Sequence, residues 1–143
     1  MGNVRDIIKA KNHPLVTINQ YITVYEALKQ MVDHNIGALL VTDENKLIGI
    51  FTERDYARKV ILLGKTSKEL LISEVMTDNL ITVTPDDSVE DCMQLMTNKF
   101  IRHLPVIENN ELFDIVSIGD VVKYIINEQK FIIEHLEHYI KGR

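Results

Sequence analysis

The apolar positions in the first half of the chain predict a β-α-β-β-α order of elements. From Val24 to Val32, apolar residues recur at the spacing i, i+3, i+4, i+7 and i+8, which predicts an amphipathic helix. Continuous apolar runs on both sides of the polar tetrad DENK predict a hairpin of two strands covered on both faces. The predicted elements are strand Val16–Ile18, helix Val24–Val32, strands Ala38–Val41 and Leu47–Phe51, and helix Glu53–Leu63, which is expected to end at Gly64.

The second half of the chain repeats this pattern without a gap. Residues 15–60 align with residues 80–125, and eleven aligned pairs are identical. Nine of these pairs are apolar or a strand threonine, as core packing would produce, and Asn45/Asn110 lies in the polar tetrads between strands. The remaining pair is an aspartate, which core packing does not explain. The identical pairs are Leu15/Leu80, Thr17/Thr82, Val24/Val89, Met31/Met96, Ile36/Ile101, Leu39/Leu104, Val41/Val106, Asn45/Asn110, Leu47/Leu112, Ile50/Ile115 and Asp55/Asp120. The chain therefore contains an internal repeat.

The repeat predicts a tandem α+β fold. In the second copy the predicted elements are strand Ile81–Val83, helix Val89–Met96, strands Leu104–Ile107 and Leu112–Val116, and a helix from Ile118 onward. Short amphipathic turns precede each copy, at Val4–Ile8 and Ile72–Met76. One copy alone buries little surface, so the two copies are expected to stack their small sheets around a pseudo-twofold axis and to leave a cleft. The predicted organisation is a first repeat at 1–63, a linker at 64–71, a second repeat at 72–126 and a C-terminal helical extension at 127–143.

The C-terminal extension carries an apolar stripe that needs a partner. Ile126, Ile133, Leu136 and Ile140 continue a helical spacing to the end of the chain, and polar residues lie on the other faces. A brace against the domain and a contact with a second copy would both cover the stripe. A homodimer is the preferred interpretation, because such a helix commonly packs on a symmetry mate.

Composition restricts the class of protein. The longest apolar runs are too short to cross a bilayer, which takes roughly 20 residues, and the N-terminus MGNVRD has no signal-peptide core. A cytosolic protein with no membrane contact is therefore expected. The formal net charge of −5 argues against nucleic acid as a partner. The single cysteine, Cys92, lies among apolar helix positions and is interpreted as a reduced core thiol.

A hydroxyl followed three residues later by an aspartate closes a buried strand in each copy. Thr52-x-x-Asp55 and Ser117-x-x-Asp120 resemble capping boxes, as do the starts of the first helices, and a cap alone would account for them. However, both motifs lie where strands end and helices begin, the usual ligand position in layered α/β folds. Free N–H groups there suit a phosphate, and a carboxylate can accept two hydrogen bonds from a ribose diol. The local pattern leaves both interpretations open.

The second copy adds a cationic pair in the stretch IRHLPV. Arg102 and His103 lie in the turn between helix and strand, where the first copy has Gly37 and Ala38. Arg102 could simply complement a helix C-terminus, or it could hold a phosphate together with His103. If both copies form pockets, the pockets are not equivalent.

The first copy contains Gly49-x-x-Thr52-x-x-Asp55, the second copy contains RHLPV and Ser117-x-x-Asp120, and LITVTPDDSV opens the second copy. Together with the tandem β-α-β-β-α repeat, these motifs resemble the cystathionine-β-synthase (CBS) domain pair, or Bateman module. The match extends roughly from Val4 to Ile126. The resemblance implies a stand-alone regulatory protein without catalytic activity. It also implies an adenine nucleotide as regulatory ligand, with AMP as the first candidate before ADP, ATP, NAD or S-adenosylmethionine, together with homodimers and a protein target that the sequence does not identify.

The same resemblance assigns roles by position. The implied ligand-binding residues are Asp55 and Asp120 for ribose; Thr52, Ser117, Arg102 and His103 for phosphate; Thr17, Ile18, Thr82 and Val83 for adenine through backbone groups; and Pro105 beside the cationic pair. Two features depart from the family pattern: Asp114 stands where the family usually has glycine, and Gly37-Ala38 removes the cationic pair from the first copy.

Other candidate motifs give weaker evidence of a function. Gly64-Lys65-Thr66 lacks the earlier glycine of a P-loop, since Lys59 stands there. His135 and His138 lie on a polar helix face with no third ligand in the pattern, so no metal site is expected. No set of nucleophile, base and orienting group is evident, and no enzyme activity is expected. The alternative function is a ligand-independent dimerisation or interaction module.

Overall fold

The structure is a computed structural model that describes residues 2–11 and 13–141. It confirms the mixed α+β prediction. The elements in chain order are helix α1 (Val4–Ala10), strand β1 (Thr17–Ile18), helix α2 (Val24–His34), strands β2 (Ala38–Asp43) and β3 (Lys46–Thr52), helix α3 (Glu53–Tyr56) with a π-helical continuation at Ala57–Ile61, helices α4 (Ile72–Val75) and α5 (Val89–Lys99), strands β4 (His103–Glu108) and β5 (Glu111–Ser117), and helix α6 (Ile118–Ile140).

The chain forms two compact units that do not coincide with the sequence repeats. The Asp55 unit comprises Pro14–Thr82 and the hairpin tip Glu108–Phe113; the Asp120 unit comprises the residues up to His13, Val83–Ile107 and the chain from Asp114 onward. Helix α1 precedes the first repeat, yet it lies in the Asp120 unit, where the Val4 N–H donates to the carbonyl of Asp87 at 2.9 Å. Helix α4 precedes the second repeat but lies in the Asp55 unit, where the Ile72 N–H donates to the carbonyl of Ile22 at 2.9 Å. Each leading helix therefore packs with the other repeat.

The Asp55 unit is built on a three-stranded sheet in the order β1-β2-β3. Strand β1 is parallel to β2, and β2 is antiparallel to β3. The first four residues of β2 are buried, as expected for a central strand that is covered on both faces. The core of this unit consists of Ile18, Val24, Ala27, Met31, Leu39, Val41, Phe51, Val60, Ile72 and Val75.

Both predicted hairpins are present, and both close through two residues in the left-handed region. Glu44 and Asn45 have φ of 49° and 67°, and Asn109 and Asn110 have φ of 53° and 63°. Two consecutive residues with positive φ make the tight turn that matches the twist of the flanking strands. Asparagine tolerates this conformation better than most residues, which explains its place in both polar tetrads.

The prediction of a strand at Ile81–Val83 is wrong. Only Val83 pairs, through an isolated parallel bridge to Val106, in which the Val83 N–H donates to the carbonyl of Pro105 at 3.0 Å and the Val83 carbonyl accepts from Ile107 at 2.8 Å. The chain turns soon afterwards, since Asp87 N–H donates to the carbonyl of Thr84 at 3.2 Å. The segment is therefore too short to pair beyond one residue.

Helix α6 is a single continuous helix of 23 residues that spans the second repeat and the predicted extension. Its first part contributes Val121 to the buried side chains, whereas Ile126, Ile133, Leu136 and Ile140 are all exposed. None of the described helices has both the length and the apolar character needed to cross a bilayer. The predicted apolar stripe therefore exists, and residues 2–11 and 13–141 do not cover it.

Candidate functional site

Both hydroxyl-x-x-aspartate motifs form capping boxes. In the first, the Thr52 N–H donates to Asp55 Oδ2 at 3.0 Å, and the Asp55 N–H donates to Thr52 Oγ1 at 3.2 Å. In the second, the Ser117 N–H donates to Asp120 Oδ2 at 2.9 Å, and the Asp120 N–H donates to Ser117 Oγ at 3.1 Å. The capping interpretation is thus correct in both copies. It uses one carboxylate oxygen, so the other oxygen decides what each aspartate can do for a ligand.

The second oxygen of Asp55 is already engaged. Its Oδ1 accepts a hydrogen bond of 2.8 Å from the Thr77 hydroxyl and lies 3.1 Å from Lys59 Nζ. The Asp55 side chain is only 9% exposed. A carboxylate with both oxygens satisfied and almost no exposed surface stabilises the fold, and a ligand hydroxyl would have to displace Thr77 or Lys59 to reach it.

Backbone packing brings Thr77 to this position. Ile50 of β3 and Thr77 exchange backbone hydrogen bonds of 2.9 and 2.8 Å, so the segment after α4 runs alongside β3. Gly49 permits this close approach, because a Cβ there would lie 2.5 Å from the sulfur of Met76. The Lys59 ammonium completes the network by donating to the carbonyl of Val75 at 3.0 Å.

Asp120 has a different environment. Lys11 Nζ lies 3.2 Å from Asp120 Oδ2, the same oxygen that accepts from Ser117. Oδ1 of Asp120 has no hydrogen-bond partner among residues 2–11 and 13–141, and the side chain is 19% exposed. Of the two aspartates, Asp120 is the one with an acceptor oxygen available to a ligand.

The cationic pair of the second copy lies at the same corner. The Ile118 N–H, at the start of α6, donates to the carbonyl of Arg102 at 2.8 Å, which fixes the turn before β4 against the N-terminus of α6. Burial lowers the pKa of His103, an effect opposed by Asp120 and reinforced by Arg102 and Lys11. The site therefore combines an imidazole with a lowered pKa, an exposed guanidinium, a partly free carboxylate and the positive end of a long helix dipole.

The positions predicted to contact adenine have mixed accessibility. Thr17 and Thr82 are exposed, whereas Ile18 and Val83 are buried at 5% and 3% exposure. Both backbone groups of Val83 are bonded to β4, so an adenine ring at this segment would use backbone groups of the residues next to Val83. Pro105, buried in β4, accepts a hydrogen bond from the Val83 N–H through its carbonyl and so holds the Val83 segment against β4.

Three residues that complete the two aspartate environments were not predicted from the sequence. Lys59 follows Asp55 by four residues, a spacing that favours an ion pair on a helix, and this signal was available. Lys11 and Thr77 reach their partners through tertiary packing, and no local pattern indicates them.

No metal site is evident in the described part of the chain, where no group of three or more histidine, cysteine or acidic side chains is placed to hold an ion. His135 is stacked on Phe131 along α6, with ring centroids 6.3 Å apart, and it is exposed together with His138.

Tandem α+β repeats, each with a capped aspartate where a strand runs into a helix, define a class of regulatory ligand-binding module. The model of the CBS domain matches residues 4–61 and 72–127. The chain belongs to the CBS-domain family, as the sequence resemblance implied.

Relatives with this module agree with that assignment. The mitochondrial CBS domain-containing protein CBSX3 of Arabidopsis thaliana is 46% identical over 84% of this chain, which spans 61% of that relative's length. A CBS-domain protein from Burkholderia ambifaria has a solved structure that is 44% identical, with a TM-score of 0.85 over 89% of this chain and 96% of that one. The CBS domain pair of protein MJ0100, solved with 5′-methylthioadenosine and S-adenosylmethionine, is 32% identical, with a TM-score of 0.74 over 86% of this chain and 98% of that one.

Proposed function

We propose that this protein is a non-catalytic sensor of an adenine nucleotide, with AMP as the first candidate, and that the ligand binds at Asp120. The observation that carries the proposal is the acceptor oxygen Oδ1 of Asp120, which has no hydrogen-bond partner in the described chain and is part of a partly exposed side chain. The similar domain pair of MJ0100 holds two adenosine-containing molecules, which supports this class of ligand.

Each part of a nucleotide has a chemically suitable counterpart at this site. Asp120 Oδ1 can accept a hydrogen bond from a ribose hydroxyl. The Gly119 N–H in the first turn of α6, the Ser117 hydroxyl and the Arg102 guanidinium can donate to phosphate oxygens. His103 adds a donor through whichever ring nitrogen carries the proton.

Asp55 is proposed to play the lesser role in ligand binding. Four donor contacts, from the Thr52 N–H and hydroxyl, Thr77 and Lys59, occupy its two oxygens. The first copy also lacks the arginine and histidine, since Gly37 and Ala38 take their places. We therefore expect the Asp120 site to bind first and the Asp55 site to bind weakly or not at all.

A sensor also needs a response. Nucleotide binding would shift a conformational equilibrium only if the ligand binds one conformation more tightly than the other. The partner that detects such a shift is proposed to be a protein, and no motif in the sequence identifies it.

Calorimetric titration with AMP, ATP, NAD and S-adenosylmethionine tests the proposal. Wild-type protein should bind at least one of them, Asp120→Ala should abolish that binding, and Asp55→Asn should retain it. Absence of binding by all four ligands at millimolar concentration would overturn the sensor function.

The second candidate is an assembly module that works without a ligand. It is supported by the capping role of both motifs and by the exposed apolar side chains of α6. This candidate requires that nucleotide leave the melting temperature of every variant unchanged. Stabilisation by nucleotide that is lost in Asp120→Ala would reject it.

A further inference from the structure

Lys11 occupies an unusual position for a lysine. Its side chain is only 11% exposed, whereas lysines are seldom buried unless they are paired. Its ammonium donates to the carbonyl of Ile115 at 2.5 Å and lies 3.2 Å from Asp120 and 3.7 Å from Asp114. The Ile115 carbonyl and the two carboxylates thus hold the ammonium at Asp120, the proposed ribose acceptor.

The Lys11 contacts coincide with a departure from the family pattern. Asp114 aligns with Gly49 of the first copy. At Gly49 the space above the strand is filled by Met76, whose sulfur would lie 2.5 Å from an added Cβ. At the corresponding place in the Asp120 unit, the strand carries a carboxylate and the segment after α1 supplies Lys11. The additional negative charge and the buried positive charge therefore occur together.

The charges at this corner are balanced by Lys11. Asp114 and Asp120 contribute two negative charges, Lys11 contributes one positive charge and Arg102 another, while burial lowers the pKa of His103 and favours its neutral form. Without Lys11, the two carboxylates would outweigh Arg102 and repel an incoming phosphate. Close charges in a partly buried site interact much more strongly than they do in water.

We propose that Lys11 is a specificity-determining residue, which makes the Asp120 site select a phosphorylated, anionic adenosine derivative over a positively charged one. This inference rests on the proposed nucleotide site and specifies its ligand class. Lys11 acts by neutralising Asp120 and Asp114, and it leaves Asp120 Oδ1 available for a ribose hydroxyl.

The test compares three ligands that share adenosine and differ in charge: AMP, 5′-methylthioadenosine and S-adenosylmethionine. Lys11→Met should lower the affinity for AMP about tenfold, leave the neutral thioether within about threefold, and raise the affinity for the sulfonium. Asp114→Asn should do the opposite, because it removes a negative charge. Its amide oxygen can still accept the 2.7 Å hydrogen bond from the Ile115 N–H, so this variant should fold even if Lys11→Met does not.

Two controls separate charge from structure. Lys46→Met makes the same change of charge at an exposed position in β3 of the other unit and should change no affinity. Lys11→Arg should keep the preference for AMP. An equal loss for all three ligands in Lys11→Met, or an unchanged ratio of AMP to S-adenosylmethionine affinity in both charge variants, would overturn the role of Lys11. Failure of the wild type to bind any of the three ligands would instead overturn the proposed function.

Discussion

Thr77 donates a hydrogen bond of 2.8 Å to Oδ1 of Asp55, although the two residues belong to different sequence repeats. The contact joins the segment after α4 to the corner where β3 becomes α3. In the Asp120 unit the equivalent oxygen has no such partner within the described residues. One repeated motif therefore serves two purposes: the Asp55 network stabilises its unit, and Asp120 keeps an oxygen available for a ligand.

The Thr77 contact should have a measurable effect on stability. Thr77→Val keeps the side-chain shape but removes the donor, and we expect the free energy of unfolding to fall by about 1–2 kcal/mol, because the acceptor is a buried, charged carboxylate. Urea denaturation measures the change, with Thr84→Val, at an exposed position, as the matched control. Equal stability of the two variants would show that the hydrogen bond is not important.

The two aspartates should respond unequally to neutralisation. Asp55→Asn places an amide group against four donors in a side chain that is 9% exposed, so we expect a loss of about 2–3 kcal/mol. In Asp120→Asn the new NH₂ can take the Oδ1 position, which faces no donor among the described residues, and we expect a loss of about 1 kcal/mol. Denaturation in urea without nucleotide gives both values. Identical losses would mean that the two carboxylates have the same structural role.

His103 should make stability depend on pH. Burial lowers its pKa from the ordinary 6.5, with Arg102 and Lys11 acting in the same direction and Asp120 opposing them. The folded protein therefore takes up this proton less readily than the unfolded chain, so the free energy of unfolding falls as the pH drops below 6.5 toward the lowered pKa. Above that range both states are neutral and His103 has no effect.

Denaturation curves at several pH values between 5.5 and 7.5 check this prediction. His103→Gln should lose less stability on acidification than the wild type, while His13→Gln, at an exposed position, should behave like the wild type. A steeper acid dependence in His103→Gln than in the wild type would contradict the direction of the shift.

Cys92 should be chemically inert in the folded protein. It is fully buried, and burial, followed by the charges of Asp87 and Asp91, raises its pKa to about 11. Because the thiolate is the nucleophile, labelling by iodoacetamide at pH 8 should follow unfolding of the chain. Rapid labelling without denaturant, at the rate seen in urea, would contradict this prediction.

Most of the fold was predictable because the repeat supplies each element twice and its hydrophobic periodicity is local. The strand at Ile81–Val83 failed because strand formation depends on pairing, and only Val83 finds a partner in β4. The exchange of α1 and α4 between the units was also not predictable. Both helices have the same apolar spacing, and spacing does not reveal which surface each helix covers.

In the candidate site, too, only the contacts between residues close in sequence were predictable. The caps at Thr52 and Ser117 follow from a spacing of three residues, and Lys59 follows from a spacing of four. Lys11 contacts a carbonyl that is 104 residues away along the chain, and no local pattern predicts that contact. The features that make the two aspartates different therefore come from tertiary packing.

We expect the exposed apolar stripe on α6 to mediate self-association of the chain. Ile133 and Leu136 are 55% and 53% exposed. Removing such side chains from water favours packing of this helix against the same helix of a second copy. Wild-type protein should sediment as a dimer of the 16.5 kDa chain, and Ile133→Glu should shift it to the monomer, because a carboxylate would be buried without a partner. Asn127→Asp adds the same charge at an exposed position outside the stripe and should leave the dimer intact. A wild-type monomer at micromolar concentration would refute the dimer, and a dimer that persists in Ile133→Glu would place the interface away from α6.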